Sequence, residues 1–159
     1  LQININSKEK IMRKILFILL FISSLAYSDV ELWSSRGDES IKFYIDLEVI
    51  TDKPENAIEL IKEMVVFIKK TERDTKFYEY YISEDKKMIS LIEHYKNDAS
   101  AQKHVLDFKT GMYQENFFKL MEIKSFHVMG PASSELIESL EGLTDDFRTK
   151  VDGFKRLIN

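Results

Sequence analysis

Residues 41–50, IKFYIDLEVI, alternate apolar and polar side chains without a break. Ile41, Phe43, Ile45, Leu47 and Val49 take one side; Lys42, Tyr44, Asp46 and Glu48 take the other. A period of two over this length is a strand with one face in a core. Such a strand needs neighbours to pair with and a layer to cover its apolar face. The turn Asp52-Lys53-Pro54 follows, with Pro54 suited to the first turn of a helix. Ile58, Ile61, Met64, Val65 and Ile68 then recur at spacings of three and four, predicting an amphipathic helix that ends near Arg73.

Residues 76–82 and 88–95 are rich in aromatic and β-prone side chains, and Ser83-Glu84-Asp85-Lys86 between them predicts a hairpin. Asn97-Asp98 is placed to cap a second helix carrying Ala101, Val105 and Phe108. Gly111 interrupts it, a further helical piece spans 113–122, and a last strand spans 123–129 before Gly130-Pro131. Ser133 or Ser134 caps a short helix closed by Gly142. The tail from Thr144 offers Phe147, Val151, Phe154 and Leu157 for docking. The expected fold is α+β: a ferredoxin-like split β-α-β in residues 41–130, with a four-stranded antiparallel sheet, helices on one face, and a C-terminal helical extension over 131–159. The uncovered face, with Tyr44 on it, is left to solvent or to a second subunit.

The first 28 residues follow different rules. Arg13 and Lys14 precede an unbroken apolar run, Ile15 to Ile22, and small residues follow at Ala26 and Ser28. That pattern predicts a secretory signal peptide beginning at Met12 and cut after Ser28, with residues 29–40 as a lead-in. The apolar stretch is too short for a membrane span, which needs about 20 residues. Without residues 1–28 the chain loses four of 23 basic and one of 27 acidic side chains, leaving 19 against 26 and a net charge of −7. An acidic domain without a basic stripe makes a poor nucleic-acid partner. With no cysteine, packing alone must hold an exported chain, which suits a bacterial periplasm.

Hairpin parity brings candidate site residues together. A two- or four-residue loop sets Tyr80 opposite Ile89 and Tyr78 opposite Leu91, which puts Tyr78, Tyr80, Ile82, Ile89, Leu91, Glu93 and Tyr95 on one face. Glu93 is the one charge among them, and a lone buried carboxylate is expensive. His104 sits three residues after Ala101 and four before Phe108, at the edge of its helix's apolar face. It is read either as a base reaching a pocket or as a core-edge histidine bonded to Glu93 or a carbonyl. His94, next to Glu93 on a strand, points the other way. His127 has no local metal-ligand partner, and no ligand spacing predicts a metal site.

The segment FYEYYISEDKKMISLIEHYKNDASAQKHVLDF, residues 77–108, resembles the antibiotic biosynthesis monooxygenase (ABM) domain of the dimeric α+β barrel superfamily. The shared features are Tyr78-Glu79-Tyr80, Ser83-Glu84-Asp85, Glu93-x-Tyr95, Asp98, and Ala101-x-x-His104; with FHVMGPASSEL the likeness spans about residues 41–140. It implies a homodimer and a small hydrophobic or aromatic ligand held between sheet and helices. It also implies, for some members, oxygenation without a cofactor. On that reading His104 is the catalytic base and Glu93 fixes its tautomer. Tyr78, Tyr80, Tyr95 and Phe108 bind the substrate, with Tyr80 and Tyr95 orienting it. Haem-degrading relatives exist, but the sequence offers no haem ligand beyond His104. The alternative is a non-catalytic binding or stress-related module. A cavity of several hundred Å³ would favour the enzyme and a filled interior the module.

Overall fold

A computed structural model of the chain describes residues 37–153. All its elements belong to one unit, Glu39–Asn159; a second unit, Leu1–Asp38, lies almost wholly outside the described residues. So do the segment read as a signal peptide, Phe154 and Leu157. Nine elements follow in order: β1 (Ile41–Val49), α1 (Pro54–Thr71), β2 (Thr75–Ile82), β3 (Met88–Tyr95), α2 (Asp98–Thr110), α3 (Gln114–Leu120), β4 (Met121–Met129), α4 (Ser134–Ser139) and β5 (Asp146–Arg148). The sheet order is β2-β3-β1-β4-β5. The first four strands pair antiparallel, and β5 runs parallel to β4.

The alternating strand is the centre of this sheet. β1 pairs with β3 on one side and β4 on the other, and its odd residues from Ile41 to Leu47 are buried. They pack with Ala57, Leu60 and Met64 of α1, with Ala101 and Val105 of α2, and with Phe117, Leu136 and Leu140. The buried stripe of α1 is Ala57, Leu60, Met64 and Ile68. It is rotated from the expected one: Ile58, Ile61 and Val65 are only half-buried. The even residues of β1 form the other sheet face, where Tyr44 stacks on His127 with ring centroids 6.2 Å apart.

Two expectations need correction. The hairpin loop is Glu84–Lys87, closed by the Ser83 N–H donating to the Met88 carbonyl at 2.9 Å. Tyr80 therefore faces Leu91, and Tyr78 faces Glu93. Register moves by two, so the shared face survives. Second, the extension is not all helical. After α4, Gly142 turns the chain at φ 78°, and Thr144 donates its hydroxyl to the Phe126 carbonyl at 2.5 Å. Asp146–Arg148 is thereby laid beside β4, and the sheet has five strands, not four. The end of α1 falls near Arg73 as expected: Thr71 is its last residue and Glu72 closes it.

Candidate functional site

Glu93 is 2% exposed and points into the layer between sheet and helices. The Tyr95 hydroxyl donates to its Oε2 at 2.5 Å. Burial pushes the Glu93 carboxyl above its ordinary value, and nearby Glu72 adds to the rise; His104 and the Tyr95 hydroxyl pull against it. His104 is brought over this face by α2, whose start is fixed by the Asn97 side chain accepting from the Ser100 N–H at 3.1 Å. Ala101, His104 and Val105 are the buried positions of that helix. His104 and Glu93 meet as parity requires: Nε2 lies 3.7 Å from Glu93 Oε1, beyond hydrogen-bond length.

The opposite edge of the imidazole is held more tightly. Nδ1 lies 3.1 Å and 3.0 Å from the two carboxylate oxygens of Glu72, and the Thr75 hydroxyl donates to Glu72 Oε2 at 2.8 Å. A carboxylate only accepts, so it favours the tautomer with the proton on Nδ1 and leaves the Nε2 lone pair toward Glu93. This reassigns a role: Glu72, not Glu93, has the geometry to fix the tautomer. Burial is the largest influence on His104 and opposes its charged form. Glu93, Glu72 and Asp107 together outweigh it, so His104 titrates above its ordinary value.

Glu72 was not a sequence candidate, although a signal existed. The buried stripe of α1 runs 57, 60, 64, 68, and the next position at that spacing is 72. A carboxylate at the end of a buried stripe needs a partner, just as Glu93 does.

Glu93 and His104 share a cavity of about 50 Å³ lined also by Tyr78, Tyr80, Phe108 and aliphatic and aromatic core side chains. The Tyr78 and Tyr80 hydroxyls are hydrogen-bonded to each other at 2.8 Å. Burial raises both well above the ordinary tyrosine value, so both are neutral hydrogen-bond donors. A pair of hydroxyls uses one proton internally and leaves the other for a ligand. Phe108 lies on the wall as expected. Tyr95 does not: it is 0% exposed, is absent from the lining and gives its hydroxyl to Glu93. Its hydroxyl is engaged by the Glu93 carboxylate.

His94 pairs with Lys42 on the opposite sheet face, away from this site. His127 Nδ1 lies 2.8 Å from Asp146 Oδ2, and Arg148 beside them helps hold the Asp146 carboxyl down at about 2. Among the described residues no cluster of histidine and acidic side chains is arranged to hold a metal ion.

No family model matches the chain, and no curated protein does either. Among solved structures, MupZ from Pseudomonas fluorescens is similar over 74% of this chain and 95% of its own, with a TM-score of 0.58 at 16% identity. SnoaB from Streptomyces nogalater, a cofactor-independent oxygenase, is similar over 60% of this chain and 96% of its own, with a TM-score of 0.52 at 7% identity. The chain shares the α+β fold of these two proteins, and at these identities the likeness is one of fold alone.

Proposed function

We propose that the chain is an exported, homodimeric ABM-type monooxygenase that oxygenates a small aromatic or conjugated molecule without a cofactor. One observation carries this reading: a buried imidazole held at Nδ1 by Glu72, with Nε2 turned toward Glu93 and an apolar cavity. That is the build of a general base. The similarity in fold to SnoaB supports the choice of chemistry. Nε2 takes a proton from an activated carbon of the substrate, and the carbanion gives its electrons to dioxygen. The resulting peroxide anion takes that proton back to become a hydroperoxide, which loses the second hydrogen of the same carbon as its O–O bond breaks, leaving a carbonyl and water. The free proton of the Tyr78–Tyr80 pair orients the substrate oxygen. Export rests on residues 13–28, and dimerisation on the uncovered sheet face around Tyr44.

A second reading has its own observation. The cavity is about 50 Å³, space for a few waters, whereas ligand pockets run to about 300 Å³ or more. The interior is thus largely filled by its own side chains, as a non-catalytic module would have it. Oxygen uptake measured with a panel of hydroxylated polycyclic aromatics separates the two. The enzyme consumes oxygen with at least one, and His104→Ala lowers that rate by roughly 100-fold or more while circular dichroism stays unchanged. No uptake, and no ligand retained in native mass spectra, supports the module.

A further inference from the structure

Three spaces meet along the row Glu72–His104–Glu93. The apolar cavity touches Glu93 and His104. A hollow of about 40 Å³ between α1 and α2 touches His104 and Glu72. An open polar cleft of about 400 Å³, at the end of α1 and the starts of β2 and α2, touches Glu72 but not His104. Arg73, Asp74, Thr75, Asn97, Ser100 and Lys103 wall that cleft. Glu93 lines the apolar cavity, whereas Glu72, itself buried, lines both the hollow and the polar cleft.

The groups that face the imidazole are few. Glu93, Tyr95 and Tyr78 approach it from the sheet, Glu72 from the end of α1, and Asp107 acts on it from its own helix. On the sheet side a proton meets Glu93, already bonded to Tyr95, and an apolar cavity. On the other side the Nδ1 proton lies in a hydrogen bond to Glu72, whose Oε2 is also bonded to Thr75, a residue of the cleft wall.

We infer that Glu72 is the outer end of a proton relay joining the buried histidine to solvent. As Nε2 takes a proton on the cavity side, Nδ1 hands its own to a Glu72 oxygen, which trades it with water in the cleft. When Nε2 gives its proton up, Glu72 returns one to Nδ1. One proton enters the ring for each that leaves, so the proton taken on the cavity side is released on the cleft side. The relay rests on the reading of His104 as a base, with Glu72 as a positioning residue that acts through it.

Exchange of the His104 Nδ1–H with deuterated solvent, followed by NMR on the unliganded full chain, tests this without any substrate. In the wild type the ring proton exchanges on the order of 100-fold faster than the α2 backbone amides around it, because it needs no opening of the helix. Glu72→Gln keeps an acceptor but cannot carry a proton, and slows ring exchange on the order of 100-fold. Glu93→Gln leaves it within about twofold. Ring exchange in the wild type no faster than the amides would overturn the relay, even if Glu72→Gln fails to fold. Equal exchange in Glu72→Gln and wild type, or equal slowing by Glu93→Gln, would overturn it too. Loss of turnover in His104→Ala tests the base itself, so the two readings fail separately.

Discussion

Glu93 and His104 both titrate above their ordinary values, and the sign of each shift sets how stability responds to pH. A histidine with a raised value contributes stability that is complete below 6.5 and is lost as pH climbs through the raised value. A carboxyl with a raised value keeps, in the fold, a proton that the unfolded chain sheds above 4.5, so its contribution also falls as pH rises. Both slopes point the same way. Urea midpoints taken between about pH 5 and pH 9 should decline, and Glu93→Gln should flatten the acidic part of that decline. Glu93→Gln also removes a charge that favours the imidazolium, so the His104 titration followed by NMR should move to lower pH. A titration that stays in place would mean that Glu93 does not act on the ring.

At the scale of elements, what the sequence made legible was set by period and caps, and what it hid was set by irregularities. β1 was plain because its alternation is unbroken. β4 was less so: Met121 and Phe126 are both buried although they differ in parity. The register shifts at Asp46/Leu47, with Ser125 opposite Asp46 and Ile123 opposite Leu47, so Lys124 is the extra residue of a bulge. The bulge lets both halves of β4 face the core and leaves Lys124 outside, 3.0 Å from Glu48. No local pattern announces that, or the three-residue β5. Two substitutions test the punctuation. Asn97→Ala should cost about 1 kcal/mol by removing the α2 cap, read as a lowered urea midpoint. Gly130 has φ 126°, and a Cβ there would sit 2.4 Å from the Ser40 carbonyl oxygen. Gly130→Ala should therefore cost roughly 1–3 kcal/mol or more, and a neutral result would show that the backbone relaxes freely.

For the whole molecule, the sheet has helices on one side and a half-buried, largely polar face on the other, with Tyr44, Asp46, Ser90, Ser125 and His127 linked by hydrogen bonds and stacking. Light scattering at micromolar concentration should give twice the chain mass, and a monomer would remove the proposed cover for that face. The site depends on long-range geometry: Glu93 and His104 could be paired from strand parity and helix spacing, whereas Glu72 reaches them only because α1 ends beside the start of α2. The orientation of the imidazole is the point on which the account turns. Long-range ¹H–¹⁵N correlation of the His104 ring, at a pH above its titration, reads it directly. The geometry calls for a proton on Nδ1, bonded to Glu72, and a bare Nε2 facing the cavity. A proton on Nε2 with a bare Nδ1 in the resting protein would contradict it.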